Sequence, residues 1–211
     1  MDALVFAGGS VDTDWASVFL KKRKYELVIC ADRGVVHADR LGITPDLLLG
    51  DFDSAPAGIL AKYSKVERIS FPPEKDYTDM NLAIVEAMKR GASRIDCLGA
   101  TGTRLDHTLA NIDLLSLGEK NGVSITLYDA HNKISLCSCE YHIKSSEQFG
   151  KYVSILPYTY EACVSLYGMK YPLERGHIRR GESLTVSNEI SGSEGLVRAD
   201  EGTVLVFETR D

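Results

Sequence analysis

The chain of 211 residues contains no apolar run of the roughly 18–20 residues that a membrane-spanning helix requires. It also lacks an excess of basic residues, since 24 Lys and Arg stand against 30 Asp and Glu for a net charge of −6. An acidic chain is a poor match for the surface of a nucleic acid. We therefore expect neither a membrane nor a nucleic acid as partner, and an anionic ligand would need a metal cation or local bases.

Cys-x-x-Cys pairs are absent, and the number of cysteines, five, is odd. Both facts disfavour a disulfide framework and a structural zinc site. The first residues, MDALVFAGGS, lack the basic region that begins a signal peptide, so the cytoplasm is the expected compartment. No internal repeat or low-complexity linker is visible, and a hydrophobic content of 44% is typical of a globular protein.

The residues that are present follow two different patterns. Over residues 1–130, short apolar runs such as ALVFAGG, ELVICAD and DLLLGDFD alternate with helical patterns. Several runs are continuously apolar, which fits strands that are buried on both faces of a parallel sheet. This part of the chain is predicted to be a doubly wound, mostly parallel α/β domain.

The helical pattern ends after this point. Residues 131–211 contain β-branched or alternating segments, among them YVSILPYTY, SLTVSNE and TVLVFET. Such segments, separated by Gly, Pro, Ser and Glu, are typical of antiparallel strands. The prediction for this second domain is an all-β sandwich.

Two of the predicted helices carry a clear apolar stripe. The fourth helix has apolar residues at helical spacing, with Thr78 as its N-cap: Met80, Ala83, Ile84, Ala87 and Met88. In the fifth, which follows GATGTR, the stripe predicted to be buried consists of Leu105, Leu109, Ile112 and Leu115. Asp106 and His107 open this helix off the stripe and are free to face a ligand.

Acidic side chains follow four of the apolar runs. They are Asp32 after the second, Asp51 and Asp53 after the third, Asp76 and Asp79 after the fourth, and Asp106 after the fifth. The carboxyl ends of parallel strands meet at one edge of a sheet, where ligands bind. If the backbone of GDFDS stays extended, Asp51 and Asp53 point the same way and Phe52 points into the fold.

These acids suggest a site for a hard cation. Oxygen ligands without nearby His or Cys suit Mg²⁺ or Mn²⁺. Arg33, Lys75 and Arg104 lie between the acids, and the glycine turns at Gly8 and Gly9 and in GATG would let backbone N–H groups approach phosphate oxygens. Carboxylates, bases and glycine turns together indicate a polyphosphate site.

Each acid has a simpler alternative. A single Asp at a strand end more often caps or turns the chain than binds a ligand, and Asp46 and Asp129 fit that description. Asp76 and Asp79 could serve only the N-terminus of a helix. Capping explains at most one member of the pair Asp51 and Asp53, so the pair favours a ligand site.

The motifs ADRG, GDFDS, KDYTD and GATGTRLDH, followed by GMKYPL and LTVSNE, resemble the motif series of thiamin pyrophosphokinases. The resemblance extends from about residue 4 to residue 207. One departure is Gly102-Thr103-Arg104, where the family often has two glycines before the arginine. The resemblance implies a homodimeric enzyme that joins an α/β nucleotide domain to a β-sandwich and transfers a pyrophosphoryl group from ATP to thiamin, releasing AMP.

The resemblance also implies roles for individual residues. Asp51, Asp53 and Asp79 would hold Mg²⁺ and, with Lys75 and Arg104, form the catalytic set. The ATP site would be lined by these residues: Asp32, Arg33, Lys75, Asp76, Thr78, Gly102, Arg104, Asp106 and His107. Ser187 and Asn188 would reach thiamin across a subunit interface. Tyr167 and Tyr171 are candidate aromatic contacts for thiamin, and the alternative for both is that they pack the sandwich.

Several alternatives remain open at the level of sequence. Either Asp53 or Asp79 could accept the proton of the attacking hydroxyl, while His107 could act as a base, orient Asp106 or contact the nucleotide. The rival functions are a pyrophosphokinase for another alcohol such as a hydroxymethylpterin, a nucleotide-binding protein without turnover, and a metal-dependent phosphoesterase.

Overall fold

The continuously apolar runs at the start of the chain form one parallel sheet. The computed structural model describes residues 1–53, 55–71 and 76–211, and its first compact unit is Met1–Ala130. The strands of this unit are β1 (Asp2–Phe6), β2 (Leu27–Ala31), β3 (Leu47–Gly50), β4 (Glu67–Ser70), β5 (Arg94–Leu98) and β6 (Ser124–Tyr128). The three leucines of β3 are at most 1% exposed, so this strand is buried on both faces, as predicted.

Helices connect these strands. They are α1 (Thr13–Lys21), α2 (Gly34–Arg40), α3 (Ala57–Lys62), α4 (Asp79–Lys89), α5 (Leu105–Asp113) and α6 (Leu115–Asn121). This alternation confirms the predicted α/β class. In α4 the predicted stripe is buried at Met80, Ala83, Ile84 and Ala87, and Thr78 caps the helix by accepting the Asn81 N–H at 3.2 Å. Across the described part of the chain, no helix has both the length and the apolar character that crossing a membrane requires.

The strand order of the first unit determines where a ligand can bind. The strands lie in the order β4-β3-β2-β1-β5-β6, and each neighbouring pair is parallel. The chain therefore moves outward from β1 to β4 and then returns to place β5 on the other side of β1. The strand order therefore reverses at β1 and β5, and in sheets of this type ligands bind at the carboxyl ends of the strands where the order reverses.

The helical segment after GATGTR differs from its prediction in two ways. It forms two helices, α5 and α6, separated at Leu114. Leu105 and Leu109 are 71% and 64% exposed, so the prediction that they belong to a buried stripe was wrong. The buried residue of α5 is instead Asn111, whose amide donates to the Ala100 carbonyl at 2.7 Å. The inner face of α5 meets a polar loop, and this contact outweighs the apolar stripe.

The second unit, His131–Asp211, consists of two antiparallel sheets. Its strands are β7 (Asn132–Cys137), β8 (Glu140–Lys144), β9 (Tyr152–Pro157), β10 (Glu161–Tyr167), β11 (Leu173–Arg179), β12 (Glu194–Glu201) and β13 (Val204–Thr209). Within this unit, β13 pairs with β7 and β9, while the other sheet has the order β11-β10-β12-β8. Both sheets contribute buried residues to one core, among them Val153, Val164, Val197 and Val206. The predicted sandwich is confirmed.

One segment of the second unit was predicted incorrectly. SLTVSNE does not form a regular strand; it lies beside β9 through the Ile155 N–H to Thr185 carbonyl bond at 3.0 Å and a bridge between Val153 and Asn188. The backbone of Ser187 has φ of 59°, which interrupts an extended conformation. Strand β11 is formed by Leu173–Arg179. Its apolar and polar residues do not alternate clearly, and Ile178 is its one buried residue.

The burial of the fifth helical segment can be tested by two leucine truncations. We expect Leu115→Ala to reduce the free energy of unfolding by about 2–5 kcal/mol, because Leu115 is 2% exposed and its loss leaves a cavity. Leu109→Ala should change it by less than about 0.5 kcal/mol, the usual limit for an exposed position. Urea unfolding followed by circular dichroism measures both. Equal losses would contradict the orientation of α5.

Candidate functional site

A pocket of about 540 Å³ lies at the carboxyl ends of β1, β2 and β5. It is lined by residues 7–10, 31–33, 78–80 and 99–104 and by His107, Thr108 and Asn111. These segments are the loops that follow three strands together with the first turns of α4 and α5. The pocket therefore lies at the strand ends where the order reverses, as expected for a ligand site in a doubly wound sheet.

Two loops meet backbone to backbone at this pocket. The N–H groups of Gly9 and Ser10 donate to the carbonyls of Gly99 and Thr101, each at 2.8 Å. A Cβ atom on Gly9 would lie 2.3 Å from the Thr101 oxygen, and one on Gly99 would lie 2.4 Å from the Ala7 oxygen. Only glycine permits this approach. The amides of Gly9 and Ser10 are thus directed into the neighbouring loop.

Hydrogen bonds that involve polar side chains hold these two loops in place. His37 donates from Nε2 to the Gly9 carbonyl at 2.8 Å, and burial lowers the pKa of His37, which favours the neutral ring. Asn111 donates to the Ala100 carbonyl, and Thr101 Oγ1 donates to the Asp129 carboxylate at 2.8 Å. Sequence reasoning missed His37 and Asn111, because nothing in their local sequence signals a contact with a distant loop.

Three carboxylates meet where β2 and β3 end. Asp32, Asp51 and Asp53 each offer one carboxylate oxygen, and these oxygens all lie within 4.8 Å of one another. Phe52 has φ of 62° and the Asp53 N–H donates to Asp51 Oδ1 at 3.1 Å, so the chain turns at this point. The prediction of a continuing extended backbone was wrong, yet the turn brings Asp51 and Asp53 together.

Asp79 approaches the same strand end from α4. A Cβ atom on Gly50, whose φ is 145°, would lie 3.2 Å from Asp79 Oδ1 and 3.2 Å from the Asp32 backbone nitrogen. Glycine at this position therefore leaves room for both acids beside β3. Asp79 is the first residue of α4, where the helix dipole stabilises negative charge. This set of oxygen donors fits a hard divalent cation, which would offset the repulsion between the carboxylates.

The predicted bases have different positions. Arg33 and Arg104 line the pocket, and so does His107. Arg104 forms an ion pair with Asp106 at 2.6 Å, and its hydrogen bond lowers the pKa of Asp106. Both side chains are more than 60% exposed, so this pair contributes little to stability and leaves Arg104 available to an anion.

The remaining predicted nucleotide ligands complete this picture. Thr78 lines the pocket and Gly102 belongs to its glycine loop. Asp76 is exposed and does not line the pocket, and neither does Asp106. Lys75 lies outside the described residues.

The predicted thiamin ligands belong to the second unit. Ser187 is exposed, while Asn188 is 3% exposed and its side-chain amide is bonded to the main chain of Tyr171. The Tyr171 side chain is 61% exposed. Ser187 and Tyr171 therefore present surface for a ligand, whereas the Asn188 side chain faces the protein.

Known proteins resemble the chain along most of its length. The family model for the catalytic domain of thiamin pyrophosphokinase matches residues 20–127, and the model for the vitamin B1 binding domain of that enzyme matches residues 139–204. A thiamine pyrophosphokinase from Bacillus subtilis is 34% identical over 192 residues, which cover 89% of each chain.

Solved structures give the same result. The crystal structure of thiamine pyrophosphokinase from Bacillus subtilis has a TM-score of 0.89 and 32% identity, with complete coverage of both chains. The thiamin pyrophosphokinase of Geobacillus thermodenitrificans has a TM-score of 0.86 and 30% identity, covering all of this chain and 98% of its own.

The contact between the two glycine loops can be tested with a neighbouring pair of variants. We expect Gly9→Ala to destabilise the protein by roughly 1–3 kcal/mol, because the added methyl group overlaps the Thr101 carbonyl. Gly8→Ala is the control, since its nearest neighbour outside the loop is Arg33 Cβ at 3.4 Å. Urea unfolding compares the two variants. A Gly9→Ala protein as stable as the Gly8→Ala protein would contradict the contact.

Proposed function

The chain belongs to the thiamin pyrophosphokinase family, and from this premise we propose that it transfers the pyrophosphoryl group of ATP to the hydroxyl of thiamin. The products are thiamin diphosphate and AMP. The observation that carries the proposal is a cluster of three carboxylates, with Asp79 at the same strand end, beside a pocket formed by two glycine loops. Asp32 belongs to both the cluster and the pocket lining. That arrangement suits a metal-bound polyphosphate better than it suits a neutral ligand.

In this proposal Asp51, Asp53 and Asp79 hold Mg²⁺, and Asp32 lies close enough to Asp51 and Asp53 to join them. The cation would neutralise phosphate charge and align the phosphates with the attacking oxygen. A bound cation would also account for a cluster of like charges that is otherwise unfavourable.

Basic groups and a helix terminus would bind the remaining phosphate charge. Arg33 and Arg104 line the pocket, and the N-terminus of α4 points its dipole toward it. We assign Lys75, Asp76, Thr78, Gly102, Asp106 and His107 to the ATP site on the strength of their motifs. These groups would hold the triphosphate in line with the hydroxyl of thiamin, since positioning dominates phosphoryl transfer.

Proton transfer completes the reaction. When the hydroxyl oxygen of thiamin bonds to the β-phosphorus, the bond to the α-phosphate oxygen breaks and AMP leaves. The hydroxyl proton would pass to a carboxylate oxygen of Asp53 or Asp79, the two acids that the sequence offers as proton acceptors. Asp79 is half-buried and lines the pocket, whereas Asp53 is exposed.

We assign thiamin binding to Ser187, Asn188 and Tyr171 of the second unit and propose that the enzyme works as a homodimer. The match of residues 139–204 to a vitamin B1 binding domain supports thiamin over a hydroxymethylpterin as the acceptor. Sedimentation equilibrium of the full chain gives the oligomeric state directly, and a monomer at assay concentrations would contradict the dimer.

The reaction can be tested by product analysis. We expect AMP and thiamin diphosphate to form in equal amounts from ATP, Mg²⁺ and thiamin, because one pyrophosphoryl group moves per turnover. Chromatography of the nucleotides and thiamin species measures both products. A hydroxymethylpterin in place of thiamin should give no AMP.

Three results would contradict the proposal. ADP or free phosphate as the product would indicate a different transfer or a phosphoesterase. AMP formed without thiamin would indicate hydrolysis, and nucleotide binding without any turnover would indicate a binding protein.

The role of the acidic cluster can be tested with one isosteric change. We expect Asp51→Asn to lower kcat by at least about 100-fold, because a metal ligand contributes several kcal/mol to stabilising the transition state. The melting temperature should stay the same or rise, since the change removes one of several like charges. Asp14→Asn, at an exposed acid in the first turn of α1, is the control. Loss of the fold with normal activity per folded molecule would make Asp51 structural.

A further inference from the structure

Two segments of the second unit form a short antiparallel ladder outside its named strands. Residues 168–171 carry the GMKY motif and residues 188–191 follow VS in LTVSNE. The Lys170 N–H donates to the Glu189 carbonyl at 2.8 Å, and the Ser191 N–H donates to the Gly168 carbonyl at 3.0 Å. Met169 and Ile190 form a bridge between these bonds. The two sequence motifs of this unit are therefore one structural element.

The side-chain amide of Asn188 extends this ladder, because it pairs with the N–H and the carbonyl of Tyr171 as a backbone amide would. Its Oδ1 accepts the N–H groups of Tyr171 at 3.0 Å and Glu189 at 2.9 Å, and its Nδ2 donates to the Tyr171 carbonyl at 2.8 Å. Three of the four hydrogen bonds that an amide can form are thus made within the protein. We call Asn188 together with the main chain of Tyr171 the Asn188 clamp.

The clamp is anchored to the core of the sandwich. The main chain of Asn188 exchanges two hydrogen bonds with Val153 of β9, at 2.8 and 2.9 Å. Val153 is fully buried and Asn188 is 3% exposed. The Asn188 amide consequently faces inward and has no open surface toward a ligand.

What the clamp holds outward is an aromatic ring. The Tyr171 side chain is 61% exposed, although the backbone N–H and carbonyl of Tyr171 are both hydrogen-bonded to the Asn188 side chain. Lys170 lies 5.6 Å from the ring centroid and is bonded to Glu189 at 3.0 Å, so its charge is paired. A fixed main chain beneath an exposed ring lowers the entropy that a stacking ligand must remove. Such a ring attracts a flat cation.

We propose that Asn188 is a positioning residue for thiamin, which acts through the main chain of Tyr171 and does not touch the substrate. The inference rests on the proposed function and changes the role that the motif assigns to this residue. Tyr171 supplies the ring that stacks on thiamin, and Ser187, exposed beside the clamp, remains a direct contact. Loss of the clamp should weaken thiamin binding by letting the Tyr171 ring move.

A double-mutant cycle on the full-length protein tests this role. Asn188→Ala and Tyr171→Ala should each raise the KM for thiamin by about 3- to 30-fold, the range of a cation–π contact, with the KM for ATP unchanged. The double variant should show the same KM for thiamin as Tyr171→Ala alone, because the clamp has no effect once the ring is gone. Tyr160→Ala removes a ring that is 77% exposed elsewhere in this unit and should change neither constant.

The proposal would be overturned if the KM for thiamin of the double variant rose by the product of the two single increases. That result would show that Asn188 contacts thiamin independently of Tyr171. Asn188→Asp retains the two acceptor bonds of Oδ1 but faces the Tyr171 carbonyl with a second oxygen, so it should repeat the result of Asn188→Ala. An Asn188→Asp protein with the wild-type KM would also overturn it.

A second measurement separates this inference from the proposed function. Amide hydrogen exchange in Asn188→Ala should accelerate more at Tyr171 than at core amides of β10 such as Val164, whether or not the protein turns over thiamin. Unchanged exchange at Tyr171 would refute the clamp by itself. A wild-type protein that makes no AMP from ATP and thiamin would refute the proposed function and leave the exchange result to stand on its own.

Discussion

The backbone of the loop after β1 runs directly against the backbone of the loop after β5, and the pocket depends on this contact. The approach is possible because Gly9 and Gly99 have no Cβ atoms, and because β1 and β5 are neighbours in the sheet. Hydrogen bonds between the loops use the amides that face each other. The glycines therefore allow the two loops to pack closely at the pocket.

Repulsion between carboxylates is the second physical feature of this site. Asp32, Asp51 and Asp53 come from two neighbouring strand ends, and Asp79 lies beside Gly50 at the end of β3. Like charges at this distance are unfavourable in an empty site and favourable around a divalent cation. In the proposed function a divalent cation and the phosphates of ATP would offset the repulsion within this cluster.

Polar side chains in both units act on main-chain groups of distant loops. His37 and Asn111 hold carbonyls of the glycine loops, and Asn188 holds both backbone groups of Tyr171. All three residues are more than 90% buried, so their contacts are made without competition from water. Buried side chains thus hold surface loops in one conformation. In the role proposed for Asn188, a residue of a binding motif serves binding without contacting the ligand.

The sequence alone determined the classes of both domains and predicted the edge of the sheet at which the pocket lies. Continuous apolar runs and strand-end acids are local patterns, and the carboxyl ends of parallel strands meet by geometry. It also indicated that Asp51 and Asp53 act together, although the turn at Phe52 that joins them was not foreseen. Local composition could not place β11, whose strand has little alternation.

Only the tertiary structure decided which residues meet across the chain. The apolar face of α5 was misassigned because the neighbour of that helix is a polar loop, and burial depends on the neighbour rather than on periodicity. Asp32 joins the acidic cluster, and Asn188 turns inward to Tyr171, through contacts between residues 17 or more positions apart. Hydrogen bonds of that kind leave no periodic signal in the sequence, since each depends on how two distant segments are packed.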